Sequence, residues 1–267
     1  MKTAIIAGEG VLPVEIARRL SETGEPPMVL ALRKDIDAFS GITESAARVR
    51  CPSVGYIIKE MKRNDVRNVI LAGRVSKRII YIPALFDSVT LKVLAKSARD
   101  DHSLLGSVVN AIEDAGISVI PYYHILPEFL AVEGRIAARE PNAEERRDIE
   151  CGETVLRATL PFSFGQSLVV ASGAVVAVEA MEGTDAMIER SGVLVKKGVI
   201  VKMMRTDQDT RYDMPTVGPT TITHMLRAGL TCLAVESRRT LIIEPEETFS
   251  LAERNNIAIW GLPCQSL

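Results

Sequence analysis

The sequence predicts an α/β protein whose first half is a parallel sheet covered by helices and whose second half is a different α/β arrangement. In residues 1–130, short apolar runs alternate with amphipathic stretches, and glycine follows two of those runs. Alternation of strands and helices is typical of a parallel sheet. The second half also alternates, but it contains a hairpin pattern, which indicates that its sheet is not wholly parallel.

The elements of the first half follow from the spacing of apolar residues. Residues 3–7 are predicted as a buried strand, and 11–20 as a helix that tolerates Pro13 in its first turn. The remaining elements are predicted as strands at 27–32, 68–72 and 117–120 and helices at 53–62 and 101–115.

The second half is predicted to begin after residue 130, so the two domains are 1–130 and 131–267. Its polar stretch at 135–150 is either a linker or a solvated helix. A hairpin is expected at 166–170 and 174–180 around Ser172-Gly173. The other elements are predicted as helices at 184–190, capped by Thr184, 219–228 and 245–255, and strands at 193–196, 199–203, 232–235, 241–243 and 257–260.

Composition narrows the classes of function. The formal net charge is −2, so we expect no nucleic-acid partner. No apolar run approaches the roughly 20 residues that span a bilayer, and no secretory signal is visible. The four cysteines lie far apart without a CxxC pair, which favours free thiols in a reducing compartment. A cytoplasmic protein is therefore expected, and contact with a membrane surface is left open.

Two loops that follow predicted strands could contact a phosphate. Gly8 and Gly10 follow the first strand, where backbone amides can approach an anion because no side chain intervenes. The dinucleotide pattern is incomplete, since Pro13 replaces its third glycine and the second strand ends at Arg33. Arg74 opens a second loop with cations at 77 and 78, and guanidinium groups suit phosphate oxygens. A plain tight turn and a solvated loop are the alternatives.

The densest polar segment, residues 207–221, lies between a predicted strand and a predicted helix. Its aspartates repel one another unless a cation lies between them. Mg²⁺ commonly joins one or two carboxylates to substrate phosphates, so a magnesium site is a reasonable hypothesis. A second acidic group, Glu179, Glu182 and Asp185, could share that site. The alternative is an acidic surface loop. Asp101 lies at the start of a predicted helix, where capping of free amides is the favoured explanation.

Several longer segments resemble the sequence of a known family. The segments GQSLVVASGAVVAVEAMEGTDAMI and VLVKKGVIVKMMRTDQDTRYDMPTVGPTTI resemble the UDP-2,3-diacylglucosamine pyrophosphatases of the LpxI type. The segments IIAGEGVLPVEIA, LAGRVSKR and DDHSLLGSVVNAIEDAG resemble other blocks of that family, in the same order. The resemblance covers almost the whole chain, and its EGTDAM and QDxRYDxPxVGPxT blocks are specific.

The resemblance implies a Rossmann-like N-terminal domain and a C-terminal α/β catalytic domain. It also implies Mg²⁺-assisted attack of water on the sugar-side phosphorus, giving UMP and 2,3-diacylglucosamine 1-phosphate in lipid A synthesis. The expected partner is thus an acylated UDP-sugar, while a homodimer and peripheral contact with the inner membrane are left open.

Site residues are assigned on these combined grounds. Asp209 or Asp213 holds Mg²⁺ or orients the water, with Asp185 as a further ligand, and Arg211 and Lys202 balance phosphate charge. The residues expected to bind substrate are Gly8, Gly10, Arg74, Asp101, Thr184 and Thr220. Two other classes of function compete with hydrolysis: an oxidoreductase that binds a dinucleotide, and a nucleotide- or lipid-binding protein without catalysis.

Overall fold

A computed structural model describes residues 2–33, 35–49, 53–75, 87–96, 101–137 and 139–264, with the side chains of 94–96 and 101–103 left out. Contacts divide the chain into two compact units, Met1–Leu126 and Pro127–Leu267. Each unit has its own sheet. No helix within the described residues is long and apolar enough to cross a membrane.

The N-terminal unit contains a five-stranded, wholly parallel sheet of order β3-β2-β1-β4-β5. Its strands are β1 (Thr3–Ala7), β2 (Met28–Ala31), β3 (Ala46–Arg48), β4 (Asn68–Ala72) and β5 (Ser118–Val119). Its helices are α1 (Leu12–Glu22), α2 (Val54–Arg63), α3 (Ser88–Lys96) and α4 (Asp101–Asp114). The predicted parallel α/β class is confirmed, although β3 and α3 were not predicted.

The order of these strands creates a switch point between β1 and β4. The chain adds β2 and β3 on one side of β1 and then crosses to β4 and β5 on the other. In open α/β sheets, ligands bind at the carboxyl ends of the strands where the order reverses. The loops that follow β1 and β4 therefore mark the edge of this unit best suited to a ligand.

The C-terminal unit contains a six-stranded mixed sheet of order β6-β13-β11-β9-β7-β8 and a two-stranded parallel sheet of β10 and β12. Its strands are β6 (Gly134–Ala137), β7 (Ser167–Ala171), β8 (Ala174–Val178), β9 (Val199–Lys202), β10 (Thr216–Val217), β11 (Cys232–Glu236), β12 (Leu241–Ile242) and β13 (Ala258–Leu262). Its helices are α5 (Ala143–Thr159), α6 (Thr184–Leu194), α7 (Pro219–Ala228) and α8 (Pro245–Arg254).

Helices cover both faces of the larger sheet. Helix α5 packs on β7 and β9 through an apolar cluster that includes Ile149, Leu156 and Val201. On the opposite face, α6, α7 and α8 surround a second cluster that includes Met187 and Met225. A sheet between two helical layers buries both of its faces, which explains why its central strands are almost continuously apolar.

Strand direction decides which residues meet at each edge of this sheet. Strands β9, β11 and β13 run parallel, whereas β7 runs antiparallel to both β9 and β8. The beginning of β7 therefore lies at the edge where β8, β9 and β11 end. We call this edge, formed by Ser167, Glu179, Lys202 and Glu236, the polar edge.

Three details of the predicted second half are corrected by the structure. The strand predicted at 193–196 is wrong, because Val193 and Leu194 form the exposed end of α6. Thr184 does not cap α6: Gly183, at φ 84°, is the N-cap, and the Thr184 hydroxyl bonds to Glu179 instead. The stretch 135–150 is neither a linker nor a fully solvated helix, since it contains β6 and the start of α5, with Glu145 buried.

Candidate active site

Lys202 is the central cation of the polar edge. It is the last residue of β9 and is only 5% exposed. Its Nζ donates a hydrogen bond to Thr184 Oγ1 at 3.0 Å. Burial lowers the pKa of Lys202, because a charged ammonium loses its hydration, while the nearby carboxylates of Glu179, Asp185 and Asp213 oppose that shift. A buried lysine whose pKa is shifted in this way marks a candidate functional site.

Glu179 anchors the same group of residues. Its carboxylate accepts hydrogen bonds from the Ser167 hydroxyl, from Thr184 Oγ1 at 3.0 Å and from the Gln166 backbone N–H at 3.3 Å. The Ser167 and Thr184 hydroxyls are also within 3.3 Å of each other. One carboxylate thus joins the start of β7, the start of α6 and, through Thr184, the end of β9.

The segment between β9 and β10 contributes the aspartates. The Asp209 carboxylate accepts bonds from the Arg211 side chain at 2.7–3.0 Å and from the Arg211 backbone N–H at 2.9 Å. Burial alone would raise the pKa of Asp209, but the hydrogen bonds and charge of Arg211 hold the pKa below its usual value. The Asp213 N–H donates to the Asp209 carbonyl at 2.9 Å, so both aspartates belong to one turn.

The Asp213 carboxylate contacts different residues from the Asp209 carboxylate. It accepts a bond from Gln208 Nε2 at 3.2 Å and lies 3.8 Å from Arg205 Nη2. Its charge also acts on Lys202, as does the charge of Asp185. Asp213, rather than Asp209, is therefore the aspartate of this turn that is electrostatically linked to the polar edge.

In the described part of the chain, two buried side-chain atoms of residues that border this edge have no hydrogen-bond partner. They are Arg205 Nη2 and Gln166 Oε1. Gln166 immediately precedes β7, and its backbone carbonyl accepts a hydrogen bond from the Met203 N–H at 2.9 Å. Buried polar atoms nearly always have a hydrogen-bond partner, so these two atoms fit a site that is completed by a ligand.

The beginnings of α6 and α7 place the remaining predicted residues of this unit. Asp185 is the second residue of α6, and its Oδ2 lies 3.9 Å from His224 Nε2. Thr220 is the second residue of α7 and is exposed. The first-turn amides of a helix are unpaired and attract anions, so the position of Thr220 suits a phosphate.

The side chains that could bind a metal ion do not form a compact cluster in the described part of the chain. Within the described residues, no three side chains of His, Cys, Asp or Glu come close enough to hold a metal ion together. Mg²⁺ often needs only one or two carboxylates, because substrate phosphates and water supply its other ligands. Asp185 and Asp213 fit that smaller requirement, whereas both oxygens of Asp209 already accept bonds from Arg211.

The N-terminal unit brings Gly8, Gly10 and Arg74 together at its switch point. Glu9 and Arg74 pair in an isolated bridge, with N···O distances of 2.7 and 2.9 Å. A Cβ on Gly8 would lie 2.6 Å from the Arg74 carbonyl, so glycine permits the close approach of the two loops. The Gly8 N–H already donates to the Ala72 carbonyl at 2.8 Å.

Gly10 in the loop after β1 is bonded to Arg33, which follows β2. Gly10 has φ 107°, a conformation that favours glycine, and its carbonyl accepts from Arg33 Nη1 at 2.7 Å. Residues 76–78 lie outside the described residues. Asp101 begins α4, but its side chain is also outside the description, so its predicted contact with substrate stays a prediction.

Comparisons with known proteins agree over the whole chain. The LpxI N-terminal domain matches residues 2–129, and the LpxI C-terminal domain matches residues 132–260. A UDP-2,3-diacylglucosamine pyrophosphatase LpxI from Caulobacter vibrioides is 31% identical over 281 residues, which covers 99% of this chain and 98% of that protein. The chain belongs to the LpxI family.

A solved structure, CobK precorrin-6A reductase, aligns with all of this chain and 90% of its own, at 10% identity and a TM-score of 0.33. That similarity is too low to support any inference for this LpxI family member.

The structure groups only some of the residues predicted for this LpxI family member. Lys202 and Thr184 share a hydrogen bond, and the charges of Asp185 and Asp213 act on Lys202. Asp209 and Arg211 form a separate ion pair. Gly8, Gly10 and Arg74 lie together in the other unit.

Sequence analysis missed four residues of the polar edge or its border: Gln166, Ser167, Arg205 and Glu236. Glu236 Oε2 accepts from the Met204 N–H at 3.0 Å, where the aspartate segment leaves β9. Ser167 was missed because its position depends on β7 running antiparallel to β9, and strand direction leaves no local pattern in the sequence. A charged residue that ends an apolar strand, such as Glu236, is a signal that could have been used.

Proposed function

We propose that this protein hydrolyses the diphosphate of UDP-2,3-diacylglucosamine, giving UMP and 2,3-diacylglucosamine 1-phosphate in lipid A synthesis. Membership of the LpxI family and 31% identity to the Caulobacter vibrioides enzyme over 99% of the chain support the substrate and the reaction. The observation that carries the proposal is the buried ammonium of Lys202 beside Asp185 and Asp213.

Diphosphate hydrolysis is slow without a catalyst because a weak nucleophile must attack an anion. Preorganised positive charge lowers that barrier, and it acts more strongly where water is excluded. Lys202 provides such a charge, since it is buried and bonded to Thr184. Arg205, whose buried Nη2 has no hydrogen-bond partner among the described residues, is suited to a second phosphate contact.

Asp213 is the residue that we assign to orienting the attacking water or holding Mg²⁺, and Asp185 is the further carboxylate for the metal. A bound Mg²⁺ would neutralise phosphate oxygens and polarise the diphosphate. Asp209 is assigned to shaping the turn through Arg211, although its predicted role as a ligand is also open to test. Water attacks the sugar-side phosphorus, the bond from that phosphorus to the bridging oxygen breaks, and UMP leaves.

The loops after β1 and β4 are proposed to bind the nucleotide part of the substrate. Gly10 and Arg74 lie at the carboxyl edge of a parallel sheet, at its switch point. Because the substrate carries acyl chains, peripheral contact with the inner membrane belongs to the same proposal.

The test is incubation of the purified protein with UDP-2,3-diacylglucosamine, with and without EDTA, followed by detection of UMP and the lipid phosphate. We expect equal amounts of both products, and a loss of turnover with EDTA that added Mg²⁺ reverses. In water labelled with ¹⁸O, the label should enter the lipid phosphate. Absence of UMP would contradict the hydrolase, turnover unaffected by EDTA would contradict Mg²⁺, and label in UMP would contradict the site of attack.

A further inference from the structure

Glu179 is a buried acid to which the proposed reaction assigns no task. It is 7% exposed and follows β8 directly at the polar edge. A buried carboxylate is costly unless several donors satisfy it. Three donors do so here, namely the Ser167 hydroxyl, the Thr184 hydroxyl and the Gln166 backbone N–H. Glu179 is therefore held in one position from two separate segments of backbone, residues 166–167 and the start of α6.

The Thr184 hydroxyl has one proton, and the carboxylate of Glu179 determines where it goes. An ionised carboxylate only accepts hydrogen bonds, so Thr184 Oγ1 donates to Glu179 Oε1 across 3.0 Å. The lone pairs of Thr184 Oγ1 are then left to accept from Lys202 Nζ, which also lies at 3.0 Å. Each group in the series from Lys202 to Thr184 to Glu179 thus has one defined direction of donation.

This series leaves part of the Lys202 ammonium available. An ammonium has three N–H donors, and Thr184 is the only hydrogen-bond partner of the Lys202 ammonium in the described part of the chain. A buried lysine with one bond, beside the carboxylates of Asp185 and Asp213, has donors that a substrate oxygen can accept. The orientation of those donors depends on where Thr184 holds the nitrogen.

We infer that Glu179 is a positioning residue: by accepting the Thr184 proton, it fixes Thr184 as the acceptor that aims the Lys202 ammonium at a phosphate oxygen of the substrate. This role rests on the proposed diphosphate hydrolysis. Glu179 itself does not touch the substrate. Ser167 supports it from β7, so the beginning of an antiparallel strand helps to aim a residue at the end of its neighbour.

The role predicts a specific kinetic pattern for Glu179→Gln. Glutamine has the same shape, but its amide nitrogen donates, so it competes with the three donors that surround this position. Misplacement of a reacting group by about 1 Å costs roughly 100-fold in rate, so we expect kcat to fall about 10- to 100-fold. KM should change by less than about threefold, because an interaction that strengthens in the transition state affects kcat and kcat/KM together.

Thr184 variants test whether Glu179 acts through that hydroxyl. Thr184→Ser keeps the hydroxyl and should keep kcat within about threefold of the wild type, whereas Thr184→Val should resemble Glu179→Gln. The double variant Glu179→Gln/Thr184→Val should be little worse than either single variant, because residues in one series are not additive. Losses in kcat that multiply in the double variant would overturn the inference.

Glu145→Gln is the matched control. Glu145 is another buried glutamate of the same unit, but it pairs with Arg139 and Thr231 at the opposite edge of the sheet. The Glu145→Gln substitution should lower the melting temperature while leaving kcat per folded molecule unchanged. A purely structural Glu179 would behave in the same way, and that result would overturn the inference.

Different results would overturn the proposed hydrolysis and the positioning role of Glu179. A wild-type protein that releases no UMP would overturn the hydrolase and, with it, this role for Glu179. An active wild type together with a folded Glu179→Gln variant whose kcat is within about twofold would overturn only the role of Glu179.

Discussion

At the scale of single residues, the ammonium of Lys202 opposes stability and favours function. Removing a charged group from water costs several kcal/mol, which is why lysine is rarely fully buried. The chain nevertheless places Lys202 at the end of a buried strand, and burial lowers its pKa. Perturbed groups of this kind concentrate at functional sites, so Lys202 is the best single indicator of where the chemistry occurs.

The two aspartates of the turn should separate in a mutational test. Asp213→Asn removes a carboxylate whose charge acts on Lys202, and we expect kcat to fall roughly 100- to 1,000-fold, as when a group that stabilises the transition state is lost. Asp209→Asn mainly weakens the bond to Arg211, so its loss should be smaller. Steady-state release of UMP measures both. Equal losses would contradict this ranking, and near-wild-type turnover in both would remove the aspartates from the mechanism.

At the scale of elements, the position of Thr184 depends on how α6 packs. Helices α6 and α7 cross closely at Gly192, where a Cβ would lie 2.6 Å from the Ala228 Cα. Room for a Cβ at Gly192 could be made only if one of the two helices moved. Glycine in α6 therefore lets the two helices approach, although it lowers the intrinsic helix propensity of that segment.

Gly192→Ala should consequently destabilise the protein despite the better helix propensity of alanine. Overpacking at a close helix crossing costs about 1–3 kcal/mol, so we expect a drop of several degrees in the melting temperature of the C-terminal unit. Val193→Ala, at the next and largely exposed position, is the control and should change little. A Gly192→Ala protein that melts at or above the wild-type temperature would contradict the crossing.

Some elements were predictable because their signals are local. Helix α7 begins at Pro219 and ends before Gly229 as its start and stop residues indicate, and β1 matches an isolated apolar run. Val193 and Leu194 were misassigned, because a short apolar stretch does not distinguish a buried strand from the exposed end of a helix. The 135–150 stretch was misjudged because paired charges such as Glu145 can be buried.

At the scale of the whole molecule, Glu145 ties distant parts of the C-terminal unit together. It accepts hydrogen bonds from Arg139, from Thr231 Oγ1 at 2.7 Å and from the Asn142 N–H at 2.9 Å. Burial alone would raise the pKa of Glu145, but these bonds and the charge of Arg139 outweigh it, so the pKa lies below the usual 4.5.

This shift predicts how the stability of the protein depends on pH. A carboxyl with a lowered pKa stabilises the fold above its unfolded pKa, and that contribution is lost as pH falls through the folded pKa. The difference in melting temperature between the wild type and Glu145→Gln should be largest near neutral pH and should shrink below about pH 4.5. A difference that stays constant from neutral to acid pH would contradict the role of the charge.

The sequence predicted individual residues of the candidate site but not how they are grouped in space. Lys202, Thr184, Asp185 and Asp213 were predicted as site residues from the polar segments of the second half together with the resemblance to the LpxI type. Their grouping around Glu179 was not, since it requires the direction of β7 and its register with β9. Both are set by tertiary packing, which a single sequence does not display.

The antiparallel course of β7 makes the length of this strand as important as any reactive side chain. Ser167 faces Lys202 only because the strand begins in that register, and Ser172-Gly173 turns the chain at its far end. With the turn in place, deleting one residue within β7 would shift the preceding residues by one position, turn them to the other face and bring Gln166 to the place of the serine. Relatives that share this chemistry should therefore tolerate insertions in surface loops but keep the spacing from Ser167 to the turn.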